Sequence, residues 1–237
     1  MAGTLLAVAA PSSGKSACPS GMAHVVDGSH AYCIDRWEGT VVEVRGRDEV
    51  AHSPFDPVTN LKVKAVAHSG VVPQGYISQL EAEAACKASK KRLCTGAEWQ
   101  LACKGKKPTT FPYGDDRKEG YCNDAGKAPV AQLHPEMTTD EVYASHVAMN
   151  DPRINRAQGT VAPTARYAKC KNGFGVFDMV GNLHEWTSDV SNGHGVFRGG
   201  YFQDTHLNGD GCNYKTVAHD PSYHDYSTGF RCCADAR

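Results

Sequence analysis

Phe174-Gly175-Val176-Phe177-Asp178-Met179-Val180-Gly181-Asn182-Leu183-His184-Glu185-Trp186-Thr187 carries more structural information than any other stretch of this 237-residue chain. Its Gly175-Val176-Phe177 segment is a short strand candidate beside glycine. Asp178 and Glu185 bracket an irregular turn that can present two carboxylates together with backbone carbonyls, the oxygen-rich surroundings that a hard cation such as calcium takes. The simpler reading of the same residues has Asp178 capping a turn and Glu185 in a buried hydrogen bond. Two further strand candidates follow, Gly195-Val196-Phe197-Arg198 and Gly229-Phe230-Arg231-Cys232, again beside glycine.

Upstream, local signals are strong in three places. Ala23-His24-Val25-Val26 and Ala31-Tyr32-Cys33-Ile34-Asp35 flank Asp27-Gly28 and predict a β-hairpin, which a Cys18–Cys33 bridge would staple. Ser78-Gln79-Leu80-Glu81 is a capping box opening a helix to about Ser89, with Leu80, Ala84, Ala85 and Ala88 at helical spacing. Thr95-Gly96-Ala97-Glu98 is a second capping box for a helix through Lys104, with Gly105 placed as a left-handed C-cap. Residues 106–169 hold turn clusters and few apolar runs, so long loops are expected there, held by disulfides or bound cations. Residues 1–17 read as a flexible leader or truncated signal segment, and residues 18–237 as a single domain.

With 25 Lys+Arg against 26 Asp+Glu, the net charge of −1 provides no field for a phosphate backbone, and the basic residues are scattered along the sequence. Nucleic acid is therefore not an expected partner. No apolar run approaches the roughly 20 residues of a membrane helix. The 10 cysteines are dispersed rather than gathered in CxxC knuckles, which favours disulfides over zinc and places the protein in an oxidising compartment, secreted or periplasmic. There is no Gly-x-Ser-x-Gly elbow and no phosphate loop. Asp115-Asp116 reads as a solvated turn.

The opening stretch, taken with Lys91-Arg92-Leu93-Cys94-Thr95-Gly96-Ala97-Glu98-Trp99, Phe111-Pro112-Tyr113-Gly114, Arg198-Gly199-Gly200 and Gly229-Phe230-Arg231-Cys232, resembles the sulfatase-modifying factor, or formylglycine-generating enzyme, family over about residues 18–235. The resemblance implies an α+β, C-type-lectin-like fold: little regular structure, small antiparallel sheets, two main helices, and long loops tied by disulfides. It implies the pairs Cys86–Cys232 and Cys103–Cys212. Among the remaining Cys94, Cys122, Cys170 and Cys233 the connectivity stays open, and Cys94–Cys233 with Cys122–Cys170 is a pairing consistent with adjacent cysteines on opposite faces of a strand.

The resemblance also implies a calcium site of Asp178, Gly181, Leu183 and Glu185, and a weaker second one of Asn123, Asp124 and Asn155. It implies copper held by two cysteines just after Arg-Gly-Gly, since a cuprous ion requires soft thiolates. Here those positions fall near Asp204 and Gly209, Cys212 is the only thiol nearby, Tyr201 replaces the usual Ser, and His184 replaces the first Trp of Trp-Glu-Trp. Formylglycine generation at a dithiolate is therefore not expected. Two functions are left: a calcium-stabilised binding module for a peptide, glycan or partner protein, or a divergent metal-dependent oxidative or modifying enzyme in the same cleft. The enzyme reading would use His184, Asp204 and His206 around a transition metal, with Tyr201 beside them.

Overall fold

The computed structural model describes residues 17–28 and 30–237; most of the expected leader lies outside the described residues. In chain order the elements are β1 (Met22–Asp27), β2 (His30–Asp35), β3 (Thr40–Arg45), β4 (Asp48–Ala51), β5 (Val63–Val66), α1 (Gln79–Ala88), β6 (Arg92–Leu93) and α2 (Gly96–Lys104). Then come α3 (Val130–Leu133), α4 (Thr139–Ala144), α5 (His146–Met149), α6 (Arg153–Arg156), β7 (His184–Ser191), β8 (His194–Arg198), β9 (Lys215–His219), β10 (Thr228–Phe230) and β11 (Cys232–Asp235). Among the described residues no helix is long and apolar enough to cross a membrane.

Both capping boxes form. The Ser78 and Thr95 hydroxyls accept from the N3 amides, and the Glu81 and Glu98 carboxylates accept from the cap amides. Gly105 ends α2 with a positive φ of 77° but an extended ψ of −175°, so the chain leaves without a left-handed cap. The hairpin forms as expected, Asp27 opposite His30 and Met22 opposite Asp35.

Three small sheets result, ordered β1-β2-β11-β6, β10-β7-β8-β9 and β4-β3-β5. Pairing is antiparallel except between β10 and β7. Three sequence expectations are corrected. Gly175–Phe177 makes only an isolated bridge, Lys171 with Phe177. The 229–232 candidate is broken at Arg231, where the chain crosses from the β7 sheet to the β2 sheet and turns its guanidinium into the interior. The 106–169 region contains four short helices, of which α4 has its own capping box at Thr138 and Glu141.

The cysteines form five disulfides, Cys18–Cys33, Cys86–Cys232, Cys94–Cys233, Cys103–Cys212 and Cys122–Cys170, the same five pairs read from the sequence. Cys232 and Cys233 lie in separate cores. Cys232 and Cys86 join the cluster of Ala82, Ala85, Val41, Val63, Trp186 and Phe230, in which α1 covers the β3–β5 sheet. Cys233 and Cys94 join the cluster of Val25, Ile34, Trp99, Met179 and Val180 between the hairpin and α2. Strand alternation sends adjacent side chains to opposite faces, so one dipeptide of β11 staples both cores. A third core of Tyr76, Val142, Ile154, Phe202 and Tyr226 lies under the short helices.

Because the loops have few ladders, the bridges are a major constraint on the unfolded chain. Cys103 and Cys212 are 109 residues apart. Replacing both with alanine should lower unfolding stability by about 2–5 kcal/mol, measured by urea melts against the parent under non-reducing conditions.

Candidate functional site

The segment 178–187 is the centre of the molecule. Gly181 and Asn182 both have positive φ, 78° and 60°, and a Cβ on Gly181 would lie 2.2 Å from the Asn123 carbonyl oxygen. Only glycine permits that approach. It lets the Asn182 amide donate to the Asn123 carbonyl (2.9 Å). The Asn182 side chain then acts as a hub. Its Nδ2 donates to Glu38 Oε2 (2.6 Å) and the Ala162 carbonyl (3.1 Å), and its Oδ1 accepts from Asn123 Nδ2 (2.8 Å) and the Ala162 amide (2.8 Å).

Glu185 is fully buried at the start of β7. Arg231 donates to it twice, Nε to Oε2 and Nη2 to Oε1, each at 2.5 Å. Trp99 Nε1 donates to Oε2 at 2.6 Å. Arg231 further donates to the Asp35 carbonyl (3.0 Å) and the Phe177 carbonyl (2.9 Å). Burial opposes the guanidinium charge, but the Glu185 carboxylate beside it holds the Arg231 pKa above its usual range. Two further carboxyls share this interior. Asp178 accepts from the Ala165 amide through Oδ2 (2.6 Å) and is pushed up to about 6 by burial. Glu38, completely buried, is also raised by burial and by the neighbouring Asp178 and Glu185.

In the first calcium set, Asp178, Gly181, Leu183 and Glu185, both carboxylate oxygens of Glu185 accept hydrogen bonds from Arg231 and Trp99. Asp178 bonds a turn amide and Glu185 takes a buried hydrogen bond, which is the simpler of the two sequence readings. The second set is divided. Asn123 donates to the Thr160 carbonyl and Asn182, and the Asp124 carboxylate pairs with Arg117 (2.8 Å). Asn155 instead donates to the Tyr226 carbonyl (2.7 Å), with its Oδ1 unpartnered. Sequence reasoning gave no role to Arg231 or Glu38, although Gly229-Phe230-Arg231 was in plain view.

The segment after Arg198-Gly199-Gly200 holds the second candidate group. Tyr201 and Asp204 exchange backbone hydrogen bonds of 2.8 and 3.0 Å. Asp204 Oδ1 accepts from the amides of His206 (3.0 Å) and Leu207 (3.1 Å), and Oδ2 accepts from the Tyr214 hydroxyl (2.8 Å). Burial works against the Asp204 charge, but these donors hold its pKa below the usual carboxylate range. His206 Nδ1 lies 3.3 Å from Asp204 on a side chain that is 63% exposed. His184 is enclosed instead, its ring 4.3 Å from Phe197, 4.8 Å from Tyr201 and 5.4 Å from Tyr214 between centroids. Its Nδ1 has no partner.

His184, Asp204 and His206 therefore do not form a three-ligand set: one imidazole is sealed in aromatic rings and the other faces solvent. No group of three or more His, Cys, Asp or Glu among the described residues is placed to hold a metal ion. Gly209 has a φ of 106°, a conformation in which any side chain is strained.

Burial pushes the His184 imidazole down to about 3, against a smaller opposing pull from Asp204. Its folded pKa is thus below its unfolded value of about 6.5, so its contribution to stability is complete above pH 6.5 and is lost as pH falls towards 3, at up to about 1.4 kcal/mol per unit. His184→Phe should flatten this slope, narrowing the stability loss between pH 7 and pH 5 by about 2 kcal/mol in urea melts. Arg231→Met, which strands the Glu185 carboxylate, should cost about 3–5 kcal/mol or prevent folding, and Glu185→Gln in the same background should recover part of it.

Known proteins agree with this architecture. Residues 27–236 match the family described as "Sulfatase-modifying factor enzyme 1-like domain". The chain is 32% identical over 130 residues to the formylglycine-generating enzyme of Mus musculus and 31% over 126 residues to that of Bos taurus, covering 53% and 52% of this chain. It spans only 29% of the length of each. Among solved structures, PvdO from Pseudomonas aeruginosa superposes with a TM-score of 0.52 at 14% identity, covering 86% of this chain and 80% of PvdO. Treponema denticola variable protein 1 does so at 0.53 and 15%, covering 92% of this chain and all of that one. These likenesses show the fold, the C-type-lectin-like α+β variant. With its motifs, its sheet order and a family match over nearly all of its described length, the chain belongs to the sulfatase-modifying factor enzyme 1-like domain family.

Proposed function

We propose that the chain is an extracytoplasmic binding module, a disulfide-stapled member of its family that recognises a peptide, glycan or partner protein and does not oxidise cysteine. The observation that supports this most directly is the state of the sulfur: no cysteine is free, and Cys212, the one thiol position near the segment after Gly200, is bonded to Cys103. A cuprous ion needs soft ligands. The resemblance puts the two thiolate positions near Asp204 and Gly209, the first tied to His206, Leu207 and Tyr214 and the second in a backbone conformation hostile to a side chain.

Recognition can use the face where the family's cleft would be. His184 and its aromatic neighbours fill that region, and the surface beside them carries Tyr201, the 48% exposed Tyr143 and the 78% exposed Leu207. Tyrosine is favoured at interfaces because its large ring is ordered at little entropic cost and keeps a polar tip. The five disulfides agree with an oxidising compartment. The competing enzyme reading, a transition metal on His184, Asp204 and His206, lacks a convergent donor set.

The test is direct. Purified full-length chain is given one equivalent of Cu(I) in the presence of a competing cuprous chelator, then incubated with oxygen and a cysteine peptide, and the peptide is probed for aldehyde with a hydrazide. We expect the chelator to hold the copper and the peptide to remain unlabelled. Retained stoichiometric copper together with hydrazide-reactive peptide would overturn the proposal.

A further inference from the structure

The lysines that are dispersed in sequence are not dispersed in space. Gly105, at the end of α2, packs on the Asn172–Gly173 turn, with Gly173 N 3.5 Å from where its Cβ would be, and Cys122–Cys170 ties the two loops together. Segments 104–121 and 166–177 become one face. Lys106 lies 5.8 Å from the Phe174 ring, Lys118 and Lys169 lie 5.4 and 4.7 Å from the Tyr121 ring, and Lys171 lies 5.1 Å from the Phe177 ring. Four of the five cation–π contacts among the described residues are therefore here.

Between these loops runs a cleft of about 340 Å³ lined by Lys104, Lys106, Lys107, Thr109, Tyr113 and Gly173. The ion pairs among the described residues leave out all of Lys104, Lys106, Lys107, Lys118, Lys169 and Lys171. Three exposed acids, Asp115, Asp116 and Glu119, share the face, and Asp124 is neutralised by Arg117. Six ammonium groups without an ion-pair partner, beside half-buried aromatic rings, attract a polyanion and release counterions when one binds. Lysine presents a compact charge rather than a planar fork, which suits scattered anionic groups on a flexible polymer. None of the large exposed hydrophobic side chains lies in this face, so nothing there inserts into a bilayer.

We propose that this face binds an acidic polysaccharide, with sulfate or carboxylate groups on the lysines and sugar rings against Tyr113 and its neighbours. The choice of a glycan over a nucleic acid rests on the extracytoplasmic reading above. The probes are fluorescent heparin for sulfate and alginate for carboxylate, titrated with the full chain at 50 and 200 mM NaCl. We expect saturable binding of at least one of them, weakened at least about tenfold at the higher salt. The exposed-site triple Lys106→Ala/Lys107→Ala/Lys171→Ala should weaken it at least tenfold more. A charge-matched control, Arg47→Ala/Lys62→Ala/Lys215→Ala, should change it less than twofold, with both variants melting like the parent. The proposal is overturned by no saturable binding at 50 mM NaCl, by equal losses in the two triples, or by tighter binding to phosphatidylglycerol vesicles or single-stranded DNA than to either polysaccharide. Such a failure leaves the copper and aldehyde result, and the reading it tests, untouched.

Discussion

The buried pair of Arg231 and Glu185 is the contact around which the rest of the chain is arranged. A guanidinium and a carboxylate removed from water lose several kcal/mol of hydration each, and only dense hydrogen bonding compensates. Here the compensation draws on distant parts of the sequence: Trp99 from α2, the Asp35 carbonyl at the end of β2, and the Phe177 carbonyl in the central turn. Arg231 is also where the chain crosses between two sheets. The pair thus joins the hairpin, both sheets and a helix at one point.

Around that pair the interior is polar. Glu38 and Asp178 lie beside it, both raised by burial, and the Asn182 side chain bridges Glu38, Asn123 and the 162 loop. Such a network is stable only when nearly all its members are satisfied. The irregular turn at Gly181–Asn182 provides this, because its positive φ angles bring backbone groups to side chains that a regular strand could not reach. Disulfides complement it by limiting the freedom of long unfolded loops.

The same dense pairing commits the polar side chains of the candidate site. A metal requires uncommitted ligands converging on one point. Glu185 answers to Arg231, Asp204 to its own turn and Tyr214, Cys212 to Cys103, and His184 to three aromatic rings. The region after Gly200 is packed around these contacts.

Local chemistry determined the hairpin, both capped helices and the strand candidate at 195–198, because Asp-Gly turns, capping boxes and short apolar runs beside glycine act over a few residues. The Thr138–Glu141 box acts over the same short range, inside a region whose turn clusters read as loop. The family motifs carried the fold and, with strand alternation at Cys232–Cys233, the cysteine partners. What tertiary structure alone decided is the fate of each functional group. Glu185 meets a guanidinium 46 positions away, a partner that no local pattern around it indicates. The lysines looked scattered until a disulfide folded two loops side by side. Residue type fixes which partner a side chain can accept, but the partner it meets is set by contacts between distant segments, which no short-range pattern encodes.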